Sequence, residues 1–235
     1  MFNTTDSLKQ QRQLAEGLQL LTDYLDQAPE SELNDNLIMA DVYYTKGDLL
    51  RQSNRSRESI IAAQKAADFY NAAGLAQQMG DCYSLIGNNH MYLGNYEEAL
   101  ISFNKALEID EALDNSINVA VALNSIGKAY ELCKEFDKAL EFFNKSLEIV
   151  REENQPNMVA VRLASIASIY KNQNQFDKAL ELLNEAIEIE IAQNNVIRKG
   201  YRLDMMGEIY TLKKEFNTAE SYLMEALHIF RSNNV

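Results

Sequence analysis

Apolar residues along this chain recur at spacings of three and four, the mark of helices that each bury one face. The pattern also repeats at a fixed distance, the signature of a repeat architecture. Gly94-Asn95-Tyr96-Glu97-Glu98-Ala99-Leu100, Lys134-Glu135-Phe136-Asp137-Lys138-Ala139-Leu140 and Asn174-Gln175-Phe176-Asp177-Lys178-Ala179-Leu180 lie forty residues apart, and Lys214-Glu215-Phe216-Asn217-Thr218-Ala219-Glu220 continues the series. An aromatic column, Tyr96, Phe136, Phe176 and Phe216, holds register with a small column, Ala99, Ala139, Ala179 and Ala219. Upstream runs a second small column, Gly47, Gly87, Gly127, Ala167 and Gly207. Ile86, Ile126, Ile166 and Met206 precede it by one, Leu123, Leu163 and Leu203 by four, and Tyr130, Tyr170 and Tyr210 follow it by three.

Asn34, Gly74, Asp114, Asn154, Asn194 and Asn234 mark unit boundaries in the same forty-residue register. All are residue types that tolerate the left-handed conformation that ends helices. Tighter turns fall near Asn54, Gly94, Lys134, Asn174 and Lys214. The spacing predicts first helices near 36–53, 76–93, 116–133, 157–173 and 197–213, and second helices near 56–73, 96–113, 136–153, 176–193 and 216–232. Pro156 suits the first position of a helix. Residues 6–27 form a further amphipathic helix, with Leu14, Leu18, Leu21 and Leu25 on one face. The domain reading is an N-terminal helix, 1–34, packed on five helix-turn-helix units, 35–74, 75–114, 115–154, 155–194 and 195–235, in one array. The first unit matches least well, with Ser56 and Ser59 in the aromatic and Ala columns, as terminal repeats often do.

Composition changes this picture little. The 235 residues are 46% hydrophobic and 24% charged, a globular balance. The net charge of −13 opposes nucleic acid and anionic membrane surfaces. Cys82 and Cys133 do not make a disulfide framework in a chain of this size. His90 and His228 lie far apart in sequence, and no metal-ligand spacing is present. No apolar run reaches the roughly 18 residues of a membrane span, and the polar N-terminus is unlike a secretory signal. These features imply a cytoplasmic chain with no membrane insertion, no metal and no cofactor. No phosphate-binding loop, HExxH or Gly-flanked serine occurs. The carboxylate pairs, such as Glu97-Glu98 and Glu152-Glu153, read as solvated helix faces, so no catalytic residue is assigned and no enzyme is expected.

The columns resemble the tetratricopeptide repeat. The second unit carries Ile86-Gly87, Tyr92-Leu93-Gly94-Asn95-Tyr96, Ala99, Phe103 and Ala106. The third carries Leu123, Ile126-Gly127, Tyr130, Ala139 and Phe143. The fourth carries Leu163, Ile166, Tyr170, Ala179 and Ala186, and the fifth Leu203, Gly207, Tyr210, Ala219 and Ala226. The resemblance covers residues 36–235 and implies an all-α, right-handed α-α superhelix, a tetratricopeptide solenoid of about eleven helices. Two features depart from the family pattern. The period is 40 where the family has about 34, which resembles the long-repeat arrays of LGN/Pins-type scaffolds, kinesin light chains and bacterial Rap-type regulators. The extra residues are expected between the second helix and the next first helix, with the second helix running on by about a turn. Glu111, Arg151, Ile191 and Arg231 stand where the family closes each unit with proline. A HEAT-type array has an overlapping period, but the column pattern argues against it.

The resemblance implies a concave face lined by the first helices, where ligand contacts sit three before, one after and four after the small column. Those positions are Tyr44, Asp48 and Arg51; Ser84, Asn88 and Met91; Asn124, Lys128 and Glu131; Ala164, Ser168 and Lys171; and Asp204, Glu208 and Thr211. Asn88 and Asn124 are the most suggestive, since an amide can hold both the N–H and the C=O of an extended peptide. The columns that would form a chaperone-type carboxylate clamp hold Ser84, Asn88, Ser125, Val161 and Ser165, of which only Asn88 fits, so that mode is disfavoured. The expected function is a protein-protein interaction module that binds a peptide or protein segment in its groove. The alternative is a regulatory or sensor input domain of a larger bacterial signalling protein, such as a histidine kinase, cyclase or transcriptional regulator. Tyr222, Leu223, Ala226, Leu227 and Phe230 lie on the last helix, whose apolar face the sequence leaves partly uncovered. That face implies either a longer parent protein or self-association.

Overall fold

The computed structural model describes residues 4–233, with side chains from residue 10 onward. Its twelve helices are α1 (Thr4–Gln27), α2 (Glu30–Leu33), α3 (Asn36–Gln52), α4 (Ser56–Ala72), α5 (Ala76–Tyr92), α6 (Tyr96–Ala112), α7 (Ser116–Leu132), α8 (Phe136–Glu152), α9 (Pro156–Asn172), α10 (Phe176–Ala192), α11 (Val196–Leu212) and α12 (Phe216–Ser232). No strand occurs among the described residues. The chain is all-α, and the one element not foreseen is the short α2.

From α3 onward every helix has 17 residues, a length of about 25 Å at 1.5 Å per residue. The connections between them are equally uniform. The turns within units and the turns between units are built alike, and the helix bounds fall within about a residue of the predicted ones. The residues beyond the family's shorter period are taken up in the helices. Each connection turns on a residue with positive φ: Asn54, Gly74, Gly94, Asp114, Lys134, Asn154, Asn174, Asn194 and Lys214. The following N–H then bonds five residues back, as in Asn95 N–H to His90 O and Asn115 N–H to Asp110 O, both closing the last helical turn. Glycine takes this conformation without steric cost, whereas Lys134 and Lys214 carry a Cβ into it. Asn34 departs from the series. It has φ −92 and ends the short α2 in an ordinary right-handed conformation. Asn234, the last position of the series, lies outside the described residues. Pro156 opens α9 at its first turn, where its missing N–H costs nothing.

The chain divides into two compact units, residues 1–118 and 119–235, with the division inside α7. In the first unit α1 lays Leu18 against Leu50 and Ala62. Leu14, Leu21 and Leu25 are half-buried on the same face. Gly17 allows this approach, because a Cβ there would stand 3.2 Å from Leu49 Cδ1. Within the second repeat the small column meets a ring: a Cβ on Gly87 would lie 2.5 Å from Phe103. The second unit repeats the lock, with Gly127 under Phe143 at 2.7 Å and Gly207 under Leu223 at 2.6 Å. Where the column carries Ala167, its partner is the smaller Leu183. The Tyr column packs elsewhere, with Tyr130 stacked on Phe142 and Tyr210 on Tyr222. On α12, Leu223, Met224 and Leu227 are exposed.

Each unit buries a polar network. In the first, Ser59 Oγ donates to Gly47 O at 2.6 Å, and Asn89 Nδ2 donates to Ser59 Oγ and Leu85 O. Ser59 takes the place of Ala in its column, and its hydroxyl ties α3, α4 and α5 together. In the second unit Ser146 Oγ donates to Ala120 O at 2.6 Å, and Arg162 donates to both Ser146 Oγ and Ala120 O. Forty residues on, Arg202 pairs with the fully buried Glu190 at 3.3 Å.

Candidate functional site

The residues expected on the binding face come from the first helix of each repeat. In the first unit, Tyr44, Asp48 and Arg51 of α3 and Ser84 and Asn88 of α5 share an open pocket of about 400 Å³ with Asp81 and Leu85. Helical spacing explains the grouping: residues four and seven apart on α3 face matching residues on α5. A larger opening of about 540 Å³ lies between α1 and the Gln52–Arg55 turn, but no expected residue lines it. Met91 is half-buried on α5 and is not part of the α3/α5 pocket.

Why this pocket is open is visible in the second unit. There Ser168 Oγ donates to Glu131 Oε1 at 2.7 Å, and Lys171 Nζ pairs with Glu208 Oε2 at 2.6 Å, each across 37 residues. These contacts run along one diagonal, from the fourth residue after the small column to the first residue after the next. Arg51 and Asn88 occupy the same diagonal in the first unit. Arg51 instead turns back onto Asp48 at 2.7 Å. Asn88 is exposed, and its amide makes no hydrogen bond among the described residues. The diagonal therefore stays unfilled.

The pocket is negative on one wall. Burial and the neighbouring Asp110 raise the pKa of Asp81, against a hydrogen bond from Gln77. Burial also raises Asp110, against hydrogen bonds from Asn118 and Gln77. Tyr44 is raised by burial and then by Asp81, so its hydroxyl stays a neutral donor and acceptor.

The second unit's face is more tightly paired. Asp204 is raised by burial and by Glu208, with Lys171 opposing. Thr211 Oγ1 bonds back to Gly207 O. Asn124 and Ala164 are buried, and Asn124 Oδ1 has no hydrogen-bond partner. Lys128 is exposed but crowded by protein, and burial, then Arg162 and Arg202, lower its pKa. His90 is half-buried, with Nδ1 enclosed and unbonded. No group of three or more His, Cys, Asp or Glu is placed to hold a metal among the described residues. No described helix is long and apolar enough to cross a membrane.

Family models described as tetratricopeptide repeat match residues 40–72, 78–152 and 119–192. The chain belongs to the tetratricopeptide repeat family. No curated protein matches its sequence. Among solved structures, BtubC (BKLC) from P. vanneervenii is similar with a TM-score of 0.76 and 17% identity, over 94% of this chain and 92% of that one. A Rap protein complexed with competence and sporulation factor aligns with a TM-score of 0.59 and 16% identity, over 85% and 66% of the two chains. A signal transduction ATPase with numerous domains from Pyrococcus horikoshii, which has a tetratricopeptide repeat sensor, aligns with a TM-score of 0.74 and 17% identity. That match covers 96% of this chain and 38% of the other. At these identities the likeness is one of fold. Within the tetratricopeptide frame, three pocket or inner-face residues were not among the sequence expectations: Asp81, Arg162 and Arg202. The two arginines are forty apart and share a column with Val42, Cys82 and Ala122, so the signal was a polar pair in an otherwise apolar column.

Proposed function

We propose that this tetratricopeptide array is a non-catalytic module that binds an extended segment of a partner protein across the first-helix face. The observation that carries this reading is the open diagonal at the α3/α5 pocket. Asn88 presents an unused amide there, beside the Tyr44 ring and hydroxyl. An amide of this kind pairs with one peptide unit of an extended chain, and an aromatic wall supplies apolar contact for the adjacent side chain. Rigid helices hold these groups in place before binding, so little ordering cost falls on the module. The Rap structure with its bound factor supports the same use of this fold.

The test is selection of displayed random 12-residue peptides on the full chain, followed by binding measurements with the best fluorescent peptide. Asn88→Ala and Tyr44→Ala should each weaken binding by about tenfold, equivalent to about 1.4 kcal/mol. Exposed Glu220→Ala on α12 should have no effect. Unchanged affinity in both pocket variants sinks the reading. A second reading, a sensor module inside a larger signalling protein, draws on the similarity to a chain that carries a tetratricopeptide repeat sensor. It uses the same pocket as input.

A further inference from the structure

One stripe of α12 is covered by nothing among the described residues. Helical spacing places Leu223, Phe216, Leu227, Glu220, Arg231 and Met224 in a single sector of about 100°, the width a helix normally buries against a neighbour. Phe216 is 64% exposed and Met224 59%, and Leu223 and Leu227 are exposed beside them. Glu220 and Arg231 are exposed, and neither forms an ion pair among the described residues.

The preceding second helices show what covers this sector elsewhere in the second unit. Leu180 of α10 is 8% exposed and shares a core cluster with Met206 and Ile209 of α11. Leu140 of α8 packs against the cluster that contains Ile166 and Ile169 of α9. In both cases the cover is the next first helix. Forty residues after Leu180, however, the column holds Glu220. Another first helix of the same pattern would bury that carboxylate against apolar side chains, at a high desolvation cost. An adjoining column changes in the opposite sense. Asn144 and Asn184 are exposed amides, and Met224 follows them. The apolar surface of α12 is thus turned away from the seat of a further repeat, toward the side that α8 and α10 keep polar.

We infer that this stripe pairs with α12 of a second copy, laid antiparallel across a two-fold axis between Leu223 and Met224. About that axis position 216 meets position 231, 220 meets 227, and 223 meets 224. The partner's Arg231 then lies against the Phe216 ring, as a cation on an aromatic face. It also lies one turn from Glu220, within reach of an arginine side chain. Symmetry makes each contact twice. A parallel pair would instead set Glu220 on Glu220 and Arg231 on Arg231, so the order of charges along the stripe selects the antiparallel one. A single helix about 25 Å long offers less than the roughly 800 Å² per partner of a standard interface, so the dimer is a weak one, with Kd of about 10 μM. It uses no residue of the Tyr44–Asn88 pocket and does not rest on the groove reading.

Sedimentation velocity of the full chain between about 1 and 300 μM tests the assignment. The average mass should rise from one chain toward two across that range. Met224→Asn, which gives α12 the amide of its column, should raise Kd at least about tenfold. Its urea midpoint, measured at about 1 μM where wild type is monomeric, should not move, because Met224 is exposed. Glu220→Arg and Arg231→Glu should each raise Kd about fivefold, and the double variant should return to within about twofold of wild type. In a parallel pair each single exchange would only replace one like-charge contact with another. A monomer at every concentration, a dimer indifferent to Met224→Asn, single exchanges without effect, or a double variant that does not recover would each overturn the inference. Asn88→Ala should leave self-association unchanged, so failure here is separable from failure of the groove reading.

Discussion

The two units are made of one module and carry different chemistry. Both use 17-residue helices, three-residue turns on a left-handed residue, and a small residue under a large one. They differ in what they bury and what they pair. Residues 1–118 hold eighteen acidic and eight basic residues, whereas residues 119–235 hold seventeen and fourteen. The first unit buries Ser59, Asn89 and Asp110 and leaves Asp81 in an open pocket. The second buries Arg162 and a Glu190–Arg202 pair and closes its inner diagonal with Ser168–Glu131 and Lys171–Glu208. Apolar columns set the geometry in both, and a few polar choices in those columns set the chemistry.

The comparison breaks most visibly at Glu190. Glu190→Gln leaves Arg202 buried without its counter-charge and should cost about 3–5 kcal/mol in urea unfolding. A loss under about 1 kcal/mol would mean that the pair is not the structural counterpart of the apolar Val150 in the same column. The shared lock is tested by matched substitutions. Gly87→Ala and Gly127→Ala each drive a methyl into a phenyl ring and should each cost about 1–3 kcal/mol. Gly47→Ala should be nearly neutral, because its partner is Ala63 and the nearest atoms lie at 3.4 Å. Unequal losses at Gly87 and Gly127 would show that the units do not share one packing rule.

The smallest effect separates the units by pH. The folded pKa of Asp81 is raised, so ionising it costs the native state more than the unfolded chain. That cost is present above the folded pKa and disappears as pH falls toward the unfolded value of about 3.9. Asp81→Asn should therefore be more stable than wild type at pH 7, with the gap closing on acidification to about pH 4. In the second unit the sign reverses. Depressed Arg162 costs stability below its folded pKa of about 10, and the cost is lost as pH rises through it. A gap for Asp81→Asn that widens on acidification would contradict the first assignment.

Most of the architecture was legible because it is written in columns. Tyr96, Phe136, Phe176 and Phe216 each begin a second helix. Five of the expected inner-face residues meet in one pocket. What escaped had physical reasons. Sequence patterning sends polar residues outward, so the interior roles of Asn89, Ser146 and Glu190 were invisible. Asn88 and Asn89 look alike in sequence, yet one is exposed and the other 1% exposed. Asn34 failed as a left-handed stop because α2 gives the chain a different exit.

The uniform turns carry a last consequence for how such a chain can change length. Every connection from Asn54 to Lys214 enters and leaves with the same backbone geometry. A block cut between equivalent turns, from Gly94 to Lys134 for example, leaves ends that rejoin without a new loop. Two helices removed together preserve which face looks inward. One helix removed alone would set two second helices or two first helices next to each other, and their packed columns do not match. The array is thus divisible in pairs of helices, one first helix with one second helix.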